Sequence, residues 1–156
     1  MFSGIIKKTG IVKKIISNNK EIKIGVKRSL KLTNKDLGSS INCSGVCLTL
    51  EKIHKGLYYF HLTRETGRVT NFKSIKLNQI INLEKSLRFG NEISGHFVQG
   101  HVDAIGTVGS IRKDDDFHWI SISYPAVLRT YLVSRGSIAV DGVSLTIINL
   151  DVSQFE

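Results

Sequence analysis

Residues 39–50 read SSINCSGVCLTL, and residues 136–147 read GSIAVDGVSLTI. Aligned without a gap, the two stretches are identical at six of twelve positions. In both of them apolar residues alternate with small or hydroxyl-bearing ones, as residues 46–50 show in the first copy. An alternation with a period of two is typical of a strand that buries one face. We therefore predict a duplicated domain with one ligand site per copy, in which Cys47 and Ser144 occupy equivalent positions.

Other short alternating segments, separated by turn residues, surround the first copy. The predicted elements of the first half are strands over 2–17, 20–27, 39–50, 58–64 and 79–87, a bend at Gly10, turns at Asn18-Asn19 and Lys55-Gly56, and a short helix over 28–37 that ends at Gly38. Many short strands with frequent turns indicate a small β-barrel or a β-sandwich.

The second half repeats this plan. Its matching elements are residues 100–108, which align with 4–12, a strand over 117–123, and a helix that opens at Pro125 and ends at Gly136. Phe155 aligns with Tyr58, so the strand over 59–66 has no counterpart in the second half. We expect the second barrel to lack its last strand and to have an unpaired edge, as in a sequence that has been cut short.

The segment RFGNEISG is polar and contains glycine, which is typical of a linker. We therefore predict an N-terminal barrel over 1–87, a linker over 88–95 and an incomplete C-terminal barrel over 96–156.

The composition narrows the class of protein. The net charge is +9 and the pI is about 9.7, but the lysines are scattered and form no dense stripe, so we expect a solvated surface and no nucleic-acid partner.

No apolar run approaches the roughly 18 residues of a membrane span, and the N-terminus does not resemble a signal peptide. We expect a cytoplasmic protein with no membrane partner.

Cys43 and Cys47 are the two cysteines of the chain. If both lie in one strand, four residues separate them by roughly 13 Å, which exceeds the reach of a disulfide. Free thiols in a reducing compartment are the better interpretation. His54 and His61 follow no known zinc-ligand spacing, so we predict no metal site.

Several catalytic motifs are missing from the sequence. GNEISGHFVQG is not a phosphate-binding loop, and Ser144 lies in GVSLT rather than in the nucleophile elbow of a hydrolase. His96 and His101 flank FVQG, and a single histidine in a strand is more often a hydrogen-bonded structural residue than a proton shuttle. Taken together, the set is more informative, because Cys47 and Ser144 fall at the same place in the repeat.

Five segments in order, MFSGII, SGVCLTL, NFKSIKLNQIINLEKSL, GHFVQGHVD and DGVSLTI, resemble riboflavin synthase, a trimeric flavin-forming enzyme. The resemblance covers the whole chain. It implies an all-β fold of two tandem Greek-key β-barrels on one duplicated plan, with short helices and with the second barrel incomplete. It also implies a homotrimer, in which each active site lies between the N-barrel of one subunit and the C-barrel of its neighbour.

The reaction that the resemblance implies is the last step of riboflavin biosynthesis. One molecule of 6,7-dimethyl-8-ribityllumazine gives a four-carbon unit to a second, which yields riboflavin and 5-amino-6-(ribitylamino)pyrimidinedione without a metal or cofactor. The implied partners are this substrate and the other subunits of the homotrimer, and lumazine synthase is a further candidate.

The resemblance also assigns site residues. The substrate-binding positions that match in the N-half are Phe2, Gly4, Ile5, Ile6, Ser40, Cys47, Leu48, Thr49, His61, Leu62, Thr63, Arg64, Glu65 and Thr66, and those in the C-half are Gly100, His101, Val102, Arg135, Asp141, Ser144, Leu145 and Thr146. The catalytic candidates are Cys47, His101, Asp141 and Ser144. We expect Ser144, with Asp141 near it, to position a water or hydroxyl at C7 of one lumazine. We expect His101 to shuttle a proton, since imidazole titrates near neutral pH.

Two departures from the family pattern stand out. Arg135 replaces the usual lysine, which keeps the charge but changes the geometry. The second copy of HLTRET and the C-terminal helix are absent, so we expect the 156-residue chain to bind ligand but to catalyse poorly by itself. The alternative is a non-catalytic lumazine- or flavin-binding protein of the same superfamily, although such proteins tend to lose the reactive set that His101, Asp141 and Ser144 form.

Overall fold

The computed structural model describes residues 1–18 and 21–156 and is mostly β-structure, as predicted. The strands are β1 (Lys8–Ser17), β2 (Glu21–Lys27), β3 (Ser40–Cys43), β4 (Val46–His54), β5 (Leu57–Thr63), β6 (Ile80–Lys85), β7 (Thr107–Asp114), β8 (Phe117–Ser123), β9 (Ser137–Val140), β10 (Val143–Thr146) and β11 (Gln154–Phe155). The helical segments are α1 (Arg64–Val69) and 3₁₀ turns over Asn34–Asp36, Asn71–Ser74 and Ala126–Tyr131. The predicted turn at Asn18-Asn19 lies partly outside the described residues, because they do not include Asn19.

The chain divides into two compact units, residues 1–102 with 139–144, and residues 103–138 with 145–156. The division at 87 and 96 that the sequence suggests stays a prediction.

The first unit contains a closed antiparallel barrel in the order β1-β2-β5-β4-β3-β6, which confirms the predicted barrel. β1 closes it by pairing with β6 through Lys8–Ile11 and with β2 through Val12–Ser17. A Cβ at Gly10 would collide with Val26 and Leu83, so the crossing from one partner strand to the other requires glycine there. The predicted strand over 2–17 therefore begins only at Lys8, and the segment before it has other partners.

Alternating side chains of the six strands fill the barrel. Its fully buried members include Val12, Ile24, Val26, Leu50, Tyr58, Phe60 and Leu83. Burial of this apolar surface is the main stabilising contribution of the unit.

Residues 28–37 do not form the predicted helix. Leu30 and Leu32 are both buried, two positions apart, which is the spacing of an extended chain. The Tyr58 hydroxyl donates to the Leu30 carbonyl and accepts from the Leu32 amide at 3.2 Å. These contacts hold the segment extended, and only Asn34–Asp36 turns, capped by Thr33.

The stretch over 39–50 is a hairpin and not the single strand that we predicted. Ser44 and Gly45 have φ values of 44° and 88°, so the chain reverses tightly between β3 and β4. In the second copy Asp141 and Gly142 have φ values of 46° and 79° between β9 and β10. The two copies therefore share a hairpin with the same kind of tight turn, but their sheets differ, since β3 and β4 belong to the closed barrel and β9 and β10 form a separate two-stranded sheet.

The hairpin also corrects the argument about the cysteines. Cys43 pairs with Val46 across the hairpin, and Cys47 pairs with Asn42, so the two thiols lie on adjacent strands and on opposite faces. Both cysteines are free, as predicted, but the reason is their opposite direction and not a separation along one strand.

The second unit contains a three-stranded sheet in the order β11-β8-β7, and within described residues 103–156 its strands do not close into a barrel. Phe155 pairs with Ile122 as Tyr58 pairs with Val26, which confirms the alignment of Phe155 with Tyr58. The predicted helix from Pro125 to Gly136 is a 3₁₀ segment over Ala126–Tyr131. None of its residues is buried, so no packed face stabilises further helical turns.

The turn glycines give a stability test with a matched control. Gly142 has φ 79°, and an added Cβ would lie 2.8 Å from the Gly45 amide nitrogen, whereas Gly90 has φ 84° and open space around it. We expect Gly90→Ala to cost about 1 kcal/mol for the left-handed conformation alone, and Gly142→Ala to cost about 1–3 kcal/mol more from overpacking. Urea unfolding of both variants measures this difference, and equal costs would contradict the packing of the two turns.

Candidate functional site

Two backbone hydrogen bonds connect the predicted site residues of the two repeats. The Cys47 amide donates to the Gly100 carbonyl at 2.8 Å, and the Ser144 amide donates to the Gly4 carbonyl at 2.8 Å. All four residues belong to the unit of residues 1–102 with 139–144. The sequence grouped Gly4 with Cys47 and Gly100 with Ser144, but the structure exchanges the two glycines. Each repeat therefore supplies the glycine that lies against the other repeat's strand.

The approach of these backbones requires glycine at both positions. Gly4 and Gly100 have φ values of 76° and 83°, which residues with a side chain rarely adopt. An added Cβ would lie 2.8 Å from the Ser144 nitrogen at Gly4 and 2.9 Å from the Cys47 nitrogen at Gly100.

The residues before the two glycines pair with each other. Phe2 and Val98 exchange amide-to-carbonyl hydrogen bonds of 2.8 and 3.0 Å, and the His96 amide donates to the Ser3 carbonyl at 3.1 Å. The Phe2 side chain is completely buried. Phe2, which the sequence assigned to substrate binding, therefore fixes the segment that leads to Gly4.

The structure brings His96 and not His101 to Ser144. The Ser144 hydroxyl lies 2.8 Å from Nδ1 of His96. His101 follows Gly100 and is exposed, and Val102 packs against the barrel core. Comparison of the repeats could not find His96, since the alignment of 100–108 with 4–12 extends back only to Phe97, which falls opposite Met1. The spacing of two histidines around FVQG was the available signal.

Strand alternation divides the other N-half candidates into two groups. Leu48 and Leu62 are buried in the barrel core, so their side chains face away from any ligand on the outside. Cys47 lies on the opposite face of β4, and Ser40 is the strand partner of Thr49. The outer face of β3 and β4 therefore carries the small polar side chains.

His61 lies on β5 among charged side chains. Its Nε2 is 3.0 Å from a Glu21 carboxylate oxygen, and its Nδ1 is 3.7 Å from Glu51. Lys23 lies within 3.8 Å of both carboxylates. This cluster orients the imidazole.

The segment after β5 turns into the short helix α1. The Thr63 hydroxyl caps the helix by accepting from the Thr66 amide at 3.0 Å. Glu65 pairs with Arg68 at 2.7 Å, and this hydrogen bond lowers the pKa of the Glu65 carboxyl. Arg64 reaches back to the carbonyl of Asn18.

Asp141 lies in the turn between β9 and β10 and accepts hydrogen bonds from two asparagines. Asn71 donates to its carboxylate at 3.2 Å, and Asn82 donates to its carbonyl at 2.9 Å. Although the residue as a whole is exposed, desolvation of the carboxyl raises its pKa above the ordinary value, and the hydrogen bond from Asn71 opposes this. Within the described part of the chain Asp141 forms no hydrogen bond to Ser144. Its side chain therefore acts on the turn and not directly on the hydroxyl.

The remaining C-half candidates follow the hairpin. Arg135 has φ 65° and donates its amide to the Ile147 carbonyl at 2.7 Å, as Gly38 does to Leu50 at 2.9 Å. Leu145 and Thr146 continue β10 beyond Ser144. Ile5 and Ile6 are half-buried after Gly4.

Neither a metal cluster nor a membrane-spanning helix is found in the described residues. No group of three His, Cys, Asp or Glu side chains among residues 1–18 and 21–156 could hold a metal ion. No helix in the same ranges is long and apolar enough to span a membrane.

Comparison with known proteins defines the class. A family model described as "Lumazine binding domain" matches residues 3–86 and again residues 99–156, which makes this a lumazine-binding-domain protein. The riboflavin synthase of Chlamydia trachomatis is 42% identical over 147 residues, which are 94% of this chain and 71% of that enzyme. The riboflavin synthase of Photobacterium leiognathi is 37% identical, with 94% and 68% covered. The chain belongs to the riboflavin synthase family.

Solved structures share the fold. A crystal structure of LumP complexed with riboflavin has a TM-score of 0.85 and 25% identity, and the match covers 99% of this chain and 84% of that one. A LumP complex with flavin mononucleotide has a TM-score of 0.86 at 24% identity, with the same coverage of each chain.

The two thiols offer a test of the faces of the hairpin. Burial raises the pKa of the Cys43 thiol, and Cys47 adds to this effect. Since the thiolate is the reactive form, we expect a thiol reagent to label Cys47 and to leave Cys43 unmodified in the native protein. Mass spectrometry should find one label per native chain and two in denaturant, with the native label lost in Cys47→Ser. Native labelling of Cys43 would contradict the assigned faces.

Proposed function

We propose that this chain binds 6,7-dimethyl-8-ribityllumazine at each of the two repeats and takes part in the dismutation that forms riboflavin. The observation that carries the proposal is the matched pair of backbone contacts, Gly100 on Cys47 and Gly4 on Ser144, each at 2.8 Å. Donor and acceptor in this reaction are the same compound, so two equivalent sites with different side chains suit it. The family membership supports the same activity.

The proposed chemistry divides between the two sites. At the Ser144 site, the Ser144 side chain and the His96 imidazole position the nucleophile. This nucleophile is a water molecule or a hydroxyl group, and it adds to C7 of one lumazine. His96 accepts the proton that this nucleophile loses. Asp141 contributes by fixing the turn three residues before Ser144.

At the Cys47 site, the second lumazine loses a proton from its C7 methyl group and becomes the carbon nucleophile. We propose that His101 accepts this proton, because it follows Gly100, the glycine that lies against Cys47. The conjugated ring spreads the negative charge, so orientation by backbone and hydroxyl groups supplies much of the rate. Ser40, Thr49, His61 and the segment over 63–66 would line the ligand on this face.

The second candidate is a lumazine- or flavin-binding protein without catalysis. The similarity to LumP in complexes with riboflavin and with flavin mononucleotide favours it as an alternative. The catalytic function is supported instead by the presence of His101, Asp141 and Ser144.

The assembly and location remain proposals. We propose two lumazine-binding domains over 1–87 and 96–156, a homotrimer as the active form, and a cytoplasmic location, which the two free thiols support. Association with lumazine synthase is a further proposal.

Two readouts separate enzyme from binding protein. We expect the chain to quench riboflavin fluorescence and to accelerate deuterium exchange at the C7 methyl of the lumazine, a half-reaction that does not require riboflavin to form. His101→Gln should lower the exchange rate by about 100-fold, since a general acid–base group contributes roughly that factor. His54→Gln is the matched control, because His54 is exposed at the end of β4.

Riboflavin formation is then measured with Ser144→Ala and His96→Gln. Both should lower turnover far more than they weaken riboflavin binding, because the Cys47 site is unchanged in these variants. Ligand binding without accelerated exchange would favour the non-catalytic alternative, and absence of binding by the folded chain would contradict both functions.

A further inference from the structure

Glu84 is a buried carboxylate held by uncharged donors. It is 5% exposed, and its oxygens accept from the Ser3 amide at 2.9 Å, the Ser3 hydroxyl at 2.6 Å, the Gly4 amide at 3.1 Å and the Asn42 side-chain amide at 3.3 Å. No lysine, arginine or histidine of the described ranges forms an ion pair with it. A buried charge is costly unless it is hydrogen-bonded, so this arrangement depends on all of its donors.

The donors belong to the segments that form both candidate sites. Ser3 and Gly4 lead directly to the carbonyl that accepts the Ser144 amide. Asn42 is the strand partner of Cys47, and its own side-chain oxygen accepts the Gly45 amide at 2.8 Å. One carboxylate therefore connects the backbone beside Ser144 with the hairpin that carries Cys47.

We propose that Glu84 is a positioning residue of the Ser144 site. Its carboxylate fixes Ser3 and Gly4, and the Gly4 carbonyl in turn fixes the amide of Ser144. The consequence for turnover rests on the proposed function, whereas the consequence for the Ser144 amide follows from the hydrogen bonds alone.

Glu84→Gln removes the charge at nearly constant shape. With the remaining oxygen on Ser3, the new amide group faces two other donors, the amides of Gly4 and Asn42. Asn42 cannot rotate its amide to compensate without losing the bond from Gly45. The variant therefore leaves the amides of Gly4 and Asn42 without this acceptor, and Gly4, whose carbonyl accepts from Ser144, loses a constraint.

The test is native-state hydrogen exchange of individual amides, followed by a riboflavin titration. In Glu84→Gln we expect the Ser144 amide to exchange at least about tenfold faster, since an unsatisfied buried donor shifts an equilibrium by that factor or more. The Ile24 amide in the barrel should change much less. Ile81→Val is the matched control, because it weakens the same strand at a position in the apolar barrel core.

Each result decides the proposal. If Ser144 exchange rises no more in Glu84→Gln than in Ile81→Val, Glu84 only stabilises the barrel and the proposal is wrong. If Glu84→Gln does not fold, Ser3→Ala removes only the hydroxyl donor and should show the same selective rise. If the parent chain binds neither riboflavin nor the lumazine, the proposed function fails, but the exchange comparison still decides the role of Glu84.

Discussion

The close approach of two glycines to two strands is the constraint on which the candidate site depends. Gly4 lies against Ser144 and Gly100 against Cys47, each with its carbonyl 2.8 Å from the facing amide. Neither approach leaves space for a Cβ, and both glycines have a left-handed backbone. An alanine at either position would have to move the strand that carries the candidate reactive side chain. Each contact is therefore made by backbone atoms. The two strands differ in the side chain beside the contact, which is that of Ser144 in one and of Cys47 in the other.

The two halves of this arrangement are equivalent in backbone and different in chemistry. Cys47 and Ser144 occupy the same place in their hairpins, but among residues 1–18 and 21–156 a histidine hydrogen-bonds to the side chain of Ser144 and not to that of Cys47. Only the glycine beside Ser144 is held through its own amide by the buried carboxylate of Glu84. A duplicated frame with unequal side chains suits a reaction in which two molecules of one compound take different roles.

Much of the fold could be predicted from the sequence, because strand alternation and turn residues are local signals. The repeat identified the equivalence of Cys47 and Ser144, and Phe155 pairs as Tyr58 does. The errors arose where tertiary contacts override local preference. The segment from Leu30 to Leu32 is held extended by Tyr58, and the stretch over 39–50 reverses at Ser44-Gly45.

The site was harder to predict, because the exchange of Gly4 and Gly100 between the repeats is a property of the folded chain. The roles of His96 and Glu84 depend on segments that are distant in sequence, and each has a bland interpretation in isolation. His96 could be a structural histidine and Glu84 a surface carboxylate. Only the distances to Ser144 and to Ser3 assign them to the site.

The exchange of the two glycines can be measured directly by NMR couplings across hydrogen bonds in the isotopically labelled chain. The account predicts a coupling between the Cys47 amide nitrogen and the Gly100 carbonyl carbon, and another between Ser144 and Gly4. Couplings from Cys47 to Gly4 and from Ser144 to Gly100 would contradict it, because each repeat would then contain its own glycine.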